Sequence, residues 1–293
     1  MTTETILIEN EAKWLAERAK DVTSTQVAAL FGVSPYLTEF ELWHQKRNNV
    51  VEAFEQNNRT RWGNRLERTI AEMFAEDYAL QELHKLNVYM RRGGLRLGAS
   101  FDFAAFDISA QMVLVECKNV DFLEWREKWT DTEAPAHIEL QVQTQLLLSG
   151  YRRAFIVALV GGNTLVVHER TPDAEVQAKI IDKVAAFWTS VDAGIEPTPD
   201  FVRDAERVLA MNSRSDDAVW LDAENGPELL ALIEQWRAAK AASETIKPLQ
   251  AQIALLIGSA SKVLTPFGVL SCATNKAGAR PFRYYPNKET SNV

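Results

Sequence analysis

Residues 98–119 read GASFDFAAFDISAQMVLVECKN and set Asp102, Glu116 and Lys118 within two short, otherwise apolar runs. Such runs read as strands, where a charge is costly to desolvate unless it meets a partner or a metal. Asp102 and Glu116 lie 14 residues apart, a spacing that suits neighbouring strands joined by a loop. Their carboxylates can converge on one hard cation through oxygen ligands, as Mg²⁺ requires. Such a cation polarises a phosphate oxygen and acidifies a bound water. Lys118 follows Glu116 by two positions and leaves the strand on the same face, where it can orient that water or offset charge on phosphorus. Cys117 points the other way, but its backbone carbonyl is available as a further ligand. An E-x-K pair is equally an ordinary same-face ion pair of a strand edge, so the residues alone leave both readings open. Asp107 also precedes Glu116, but it sits nearer the turn and in opposite strand parity to Asp102.

Outward from this stretch, Gly93-Gly94 separates β-like runs from a helical region before them. The runs cover residues 95–106, 112–117, 154–160 and 164–168, with Gly161-Gly162-Asn163 as a hairpin turn between the last two. Residues 10–31 read as helical, interrupted at 21–25 and ended by Gly32-Val-Ser-Pro35. Thr38 and Glu41 form a capping-box pattern that starts another helix. From 59 to 78, Trp62, Leu66, Ile70, Met73 and Phe74 recur at helical spacing. Residues 136–149 and 173–190 read as further helices ending near Gly150 and Gly194. The order predicts a mixed α/β core with a small sheet flanked by helices. Beyond Pro197 and Pro199 the pattern changes to heptad-like apolar positions (Leu229, Ile233, Trp236, Ile246, Leu249, Ile253, Leu256), with Pro248 expected to kink or split the helix. A closing hairpin is expected from 268–274 to 281–285. The division is therefore a domain over 1–200 and a helical extension with a terminal β-hairpin over 201–293.

The chain has 293 residues, 46% of them apolar and 25% charged, as in ordinary globular proteins. Thirty-two Lys and Arg against forty Asp and Glu give a formal charge of −8. That balance opposes binding to a polyanion unless a basic channel is local. Cys117 and Cys272 are too few for a disulfide framework or a cysteine-rich zinc site. The four histidines show no metal-ligand spacing, and no phosphate-binding Walker loop occurs. No apolar run is long enough for a membrane span, and the first residues lack a signal-peptide pattern. A cytoplasmic location is expected, the bacterial host cytoplasm if the protein is phage-encoded.

Two other places carry candidate chemistry. Glu67 falls at the edge of the apolar stripe of its helix, beside Gly63, where it either reaches the sheet or remains a solvated boundary glutamate. Gln141 and Gln143 lie in an amphipathic helix just after the strands, where surface glutamines are the plainer reading of either alone.

Taken in order, VTSTQVAALFGVSP at 22–35, WGNRLE at 62–67, GASFD at 98–102, ECK at 116–118 and LQVQ at 140–143 resemble the lambda-exonuclease family. These are the YqaJ-type viral recombinases of the PD-(D/E)XK nuclease superfamily. The resemblance spans about residues 14–190 and implies a restriction-endonuclease-like core. It implies that Asp102 and Glu116 bind Mg²⁺ (with Mn²⁺ as a substitute), that Lys118 is the catalytic lysine, that Glu67 assists metal binding and that Gln141 lies at the centre. Arg18, Thr25 and Ser100 take the place of the groups that contact the 5′-phosphate of a DNA end, although Arg18 reads equally as a surface charge. The implied activity is exonuclease digestion of linear double-stranded DNA, 5′→3′, leaving a 3′ single strand for recombination by annealing. A ring-shaped homotrimer and a single-strand annealing protein as partner are further implications. A structure- or site-specific endonuclease, or a non-catalytic DNA-binding recombination protein, remain the alternatives. The chain departs from the family pattern at Phe101 and Phe103, which flank Asp102, and at Asn119-Val120-Asp121, which leave a basic phosphate contact without a counterpart other than nearby Arg126 or Lys128. In the closing segment, Lys276, Arg280 and Arg283 interleave with Phe282, Tyr284 and Tyr285, a pattern that suits either DNA contact or packing on a helix.

Overall fold

In the computed structural model, which describes residues 2–50, 57–222, 226–241 and 246–287, the chain divides into two units, residues 1–197 and 198–293. The first contains β1 (Glu4–Leu7), α1 (Glu11–Ala19), β2 (Val22–Thr23), α2 (Val27–Leu30), α3 (Glu39–Arg47) and α4 (Asn58–Asp77). It continues with β3 (Gln81–Lys85), β4 (Val88–Arg92), β5 (Leu97–Ser100), β6 (Phe103–Phe106), β7 (Met112–Val120) and α5 (Phe122–Lys128). The remaining elements are α6 (Ala136–Ser149), β8 (Ala154–Val160), β9 (Thr164–Arg170) and α7 (Ala174–Ala193).

The unit holds two sheets rather than the single small sheet expected. One has the order β1-β4-β5-β2 and the other β3-β6-β7-β8-β9. In the second, β6 and β7 form an antiparallel pair, whereas β7 and β8 are parallel. A parallel pair needs a crossover, and α5 and α6 supply it. Apolar side chains cover both faces of this sheet. Ile70, Ala71 and Phe74 of α4 pack with Phe103, Val113, Val115, Cys117, Phe155 and Val157. Leu114, Ala154, Ile156 and Ala158 face the other way, into the core shared with α2, α6 and α7.

The apolar run 95–106, read as one strand, is two strands in different sheets. The chain changes sheet at Phe101-Asp102. Phe101 enters the core containing Leu97, Ala99 and Leu114, while Phe103 enters the core beneath α4. Asp102 therefore sits at a joint and not within a strand, a correction that places its carboxylate at the rim of the sheet. The two phenylalanines that depart from the family pattern are the anchors of this joint.

Local signals set the helix boundaries. The Thr38 hydroxyl accepts the Glu41 N–H at 3.0 Å and the Glu41 carboxylate accepts the Thr38 N–H, closing the expected capping box of α3. Gly150 and Gly194 end α6 and α7 in the left-handed conformation that a side chain disfavours. On α4 the expected stripe holds at Ile70 and Phe74. Trp62 and Met73, however, are 57% and 49% exposed, and Ala71 and Ala75 are buried in their stead.

The second unit is not only helical. It contains α8 (Ala205–Met211), β10 (Asp216–Asp222), α9 (Pro227–Ala241), α10 (Lys247–Ile257), β11 (Ala260–Thr265), β12 (Gly268–Ser271) and β13 (Arg283–Pro286). The closing hairpin of β12 and β13 belongs to a four-stranded sheet of order β10-β11-β12-β13. The heptad-like positions fold back on this sheet: Leu229, Ile233, Trp236 and Ile253 pack with Val263, Leu270 and Phe282. Leu256 instead remains 43% exposed. Pro248 lies in the first turn of α10, so it begins a helix rather than kinking one. Arg280 donates to the carbonyls of Asn212, Gly258, Ala260 and Cys272, a structural tie that answers the reading of this residue as a DNA contact. Among the described residues no helix is long and apolar enough to cross a membrane.

Candidate active site

Alternation along β7 turns Val113, Val115 and Cys117 toward α4 and leaves Leu114, Glu116 and Lys118 facing α6. Glu116 is only 3% exposed, so its charge must be met locally. Three donors do so. Lys118 Nζ lies 2.5 Å and Gln141 Nε2 2.6 Å from Oε1, and Gln145 Nε2 donates to Oε2 at 2.7 Å. Gln141 also accepts from Lys118 Nζ through Oε1 at 3.3 Å. Gln145 reaches the Ser100 carbonyl at 3.0 Å. It thereby ties Glu116 to the end of β5, two residues before Asp102.

Asp102 Oδ2 accepts the backbone N–H of Cys117 at 2.9 Å, which ties the joint to β7 beside Glu116. Burial raises the Asp102 carboxyl well above its ordinary value, and the negative charges of Glu116 and Glu67 raise it further against the pull of Lys118. On Lys118, burial works to lower the ammonium, but Glu116 and Asp102 outweigh it and hold it above its usual value. Burial likewise pushes the Cys117 thiol up, helped by the same carboxylates, so the sulfur stays protonated on the α4 side of the sheet.

A cleft of about 510 Å³ opens beside Asp102, lined among others by Trp14, Asn64, Glu67, Lys85 and Ser100. Glu67 reaches this cleft from α4, where Lys85 Nζ of β3 holds it at 2.9 Å. The Ser100 hydroxyl accepts the Trp14 indole N–H at 2.8 Å. Arg18 lies over the Trp14 ring at 4.4 Å and its Nη2 is 3.4 Å from Thr25 Oγ1, which pairs with Thr23 Oγ1 at 3.0 Å. Trp14 thus links Ser100, which lines the cleft beside Asp102, to Arg18 and through it to Thr25.

The sequence-derived set divides accordingly. Glu116, Lys118 and Gln141 form one hydrogen-bonded network, Asp102 is tied beside it through the Cys117 N–H, and Glu67 lines the cleft next to Asp102. Gln143 is elsewhere: it binds the Thr171 carbonyl and the Asp173 N–H. Asp107 caps the β6–β7 turn, where the N–H groups of Gln111 and Ser109, together with Arg153, hold its carboxyl below the usual carboxylate range. Lys128 pairs with Glu124 on α5. Gln145, Trp14 and Lys85 were not anticipated. Gln145 had a signal, since it lies four residues after Gln141 and hence on the same helical face.

Among the described residues no three His, Cys, Asp or Glu side chains stand together as a preformed metal cage. The donors present nevertheless fit a hard divalent cation. Asp102, Glu116 and Glu67 all offer oxygen, the two glutamates add to burial in raising Asp102, and the one nearby thiol is held protonated and turned away. Oxygen donors of this kind suit Mg²⁺ rather than a thiophilic metal.

Residues 13–152 match the model of the YqaJ-like viral recombinase domain. The Bacillus subtilis (strain 168) protein YqaJ, itself described as uncharacterized, is 28% identical over 204 residues, which cover 67% of this chain and 61% of that protein. The chain thus spans about three-fifths of the length of this curated relative. A crystal structure of an alkaline exonuclease (LHK-Exo) from Laribacter hongkongensis superposes with a TM-score of 0.50 at 18% identity, over 68% of this chain and 100% of that one. The likeness shows a restriction-endonuclease-like fold.

Proposed function

We propose that this chain, whose residues 13–152 match the model of the YqaJ-like viral recombinase domain, hydrolyses phosphodiester bonds of linear double-stranded DNA from its ends with the help of Mg²⁺. The observation that carries the reading is the clamp on Glu116: a buried carboxylate held by Lys118, Gln141 and Gln145 next to the raised carboxyl of Asp102. A purely structural Glu–Lys pair on a sheet has no need of two further amide donors or of a second, destabilised acid alongside.

Asp102 and Glu116 would hold the cation, with Glu67 and the Cys117 carbonyl as additional oxygen donors. Bound there, the cation supplies polarisation of the phosphate and an acidified water. Lys118 presents an ammonium to the same point, where it orients a water or offsets charge on phosphorus. Gln141 and Gln145 fix the Glu116 rotamer. Arg18, Thr25 and Ser100 offer a guanidinium fork and hydroxyl groups suited to a terminal phosphate. By its likeness to the family we extend the reading to 5′→3′ digestion, a 3′ single-stranded product, Mn²⁺ as a substitute, a ring-shaped trimer and an annealing protein as partner.

Incubating 5′-labelled linear duplex and covalently closed circle with Mg²⁺ or with EDTA tests the reading. Loss of the linear form alone, and only with Mg²⁺, is the expected result. Cutting of the circle would replace it with an endonuclease, and no cutting of either with a DNA-binding recombination protein. Gln145→Leu removes the clamp but no cation donor. It is expected to slow hydrolysis about 10- to 100-fold and to raise the Mg²⁺ concentration needed for half-maximal rate, with duplex affinity unchanged. An unaltered Mg²⁺ requirement would show that Gln145 does not position Glu116.

A further inference from the structure

The outer face of the C-terminal sheet, which carries Arg283 and Tyr285 of the closing segment, has no part in the site around Asp102 and Glu116. Helices α9 and α10 close the other face, where Val263, Leu270 and Phe282 pack with Ile233, Trp236 and Ile253, and Val219, Leu221 and Tyr284 pack at the margin. Alternation along the strands turns Trp220, Lys262, Val269, Arg283 and Tyr285 outward. The strand register joins Trp220, Lys262, Ser271 and Arg283 into a single row across all four strands. Asp222, Leu264, Val269 and Tyr285 make the next row. Trp220 is 53% and Tyr285 54% exposed, and Lys262 Nζ stands 3.9 Å from the centre of the Trp220 ring.

We propose that this face binds single-stranded DNA, with Trp220 and Tyr285 as stacking surfaces for unpaired bases and Lys262 and Arg283 as phosphate contacts. Neighbouring strands lie about 4.8 Å apart, so the row from Trp220 to Arg283 spans about 14 Å, room for a few unstacked nucleotides. An exposed ring can stack only on bases whose own faces are open, which selects single strands over duplex. Lys262 lies on the row between the two rings and Arg283 flanks Tyr285 on β13, so both cations border the path that the backbone joining stacked bases would take. Charge permits it. Lys and Arg equal Asp and Glu in number within residues 198–293, so the −8 of the chain resides in residues 1–197. Across the rows that hold the two rings, Lys262 and Arg283 stand against Asp222, with Asp216 and Asp217 at the start of β10. The proposal is independent of catalysis and holds whether or not the N-terminal unit cuts DNA.

Fluorescence anisotropy of a labelled 20-nucleotide oligothymidine and of a 20-base-pair duplex, with full-length protein in EDTA, tests it. The paired variant Trp220→Ala/Tyr285→Ala should weaken oligothymidine binding at least about thirtyfold, with duplex binding within twofold of the parent. Lys262→Gln/Arg283→Gln, which spares the rings, should reduce the slope of log K against log salt by about 1.4 for two phosphates. Four results would overturn the assignment: failure of the parent to bind oligothymidine, parental affinity in both variants, equal loss on duplex and single strand, or sedimentation showing that the aromatic variant dissolves a subunit contact. Cross-linking of 5-iodouracil in the oligonucleotide to Trp220 or Tyr285 would place the bases on this face, and cross-links confined to the cleft beside Asp102 would remove them from it.

Discussion

Glu116→Gln is expected to lower hydrolysis of linear duplex by at least about a thousandfold, roughly 4 kcal/mol of transition-state stabilisation, while duplex DNA still binds. Glu116→Ala should lose as much activity, but the two variants separate in stability, and the separation is the informative part. The glutamate is buried and serves Lys118, Gln141 and Gln145 at once. Gln keeps the shape and one carbonyl oxygen for these donors, whereas Ala takes the charged partner from Lys118, which keeps only Gln141 Oε1, and one acceptor each from Gln141 and from Gln145, which keeps the Ser100 carbonyl. Removing one member of a buried ion pair costs about 3–5 kcal/mol. Lys118 is a quarter exposed and has Asp102 nearby, so the loss falls at or below the lower end of that range. Thermal melts should therefore rank the parent and Glu116→Gln above Glu116→Ala by several degrees. Retention of more than a tenth of the parental rate in Glu116→Gln would remove the residue from the catalytic set, however well DNA still bound.

The site was legible in the sequence where strand geometry alone determines direction. Glu116 and Lys118 had to share a face, and Cys117 had to oppose them, once residues 112–120 were a strand. Asp102 was legible as a chemical group but not as a position. A continuous apolar run gives no sign that it crosses from one sheet to another, because Phe101 and Phe103 are equally apolar and only the two separate cores they enter distinguish them. The short strands β1, β3 and β4 went unread for a related reason. Their sequences ETIL, QELHK and VYMRR are charged and lack a sustained two-residue period, so pairing rather than propensity makes them strands. Helix α5 did carry a signal, since Asp121 caps it by accepting the Leu123 N–H. Helix α6 misled in the opposite sense. Read as amphipathic with surface glutamines, it is buried along most of its length, and Gln141, Gln143 and Gln145 are all interior. Buried amides are retained where they have specific partners, and two of these three are partners of Glu116.

Asp102→Asn is expected to abolish hydrolysis and, in the absence of a divalent cation at pH 8, to raise the thermal midpoint by at least about 3 °C. The carboxyl of Asp102 is raised by burial first and by Glu116 and Glu67 next, so ionising it costs more in the folded state than in the unfolded chain. The sign follows from proton linkage. Between the ordinary carboxylate value and the raised native one, the folded protein holds a proton that the unfolded chain has released, so stability falls as pH rises through that window and stays reduced above it. Each unit by which the native value exceeds the unfolded one corresponds to about 1.4 kcal/mol. Asn does not titrate, and its side-chain carbonyl can still accept the Cys117 N–H that Asp102 accepts at 2.9 Å, so the substitution removes the charge without losing the tie between the joint and β7. The advantage of Asp102→Asn should therefore be small near pH 4, grow with pH and then level off. Millimolar Mg²⁺ should shrink or reverse it, because a cation bound between Asp102 and Glu116 stabilises the ionised carboxylate of the parent and is bound poorly by the variant. Melting curves of both proteins from pH 4 to 9, with Mg²⁺ and with EDTA, read all of this. A variant no more stable than its parent at pH 8 in EDTA would mean that Asp102 bears no such strain. A difference indifferent to Mg²⁺ would instead mean that the strain exists but that Asp102 is not where the cation binds.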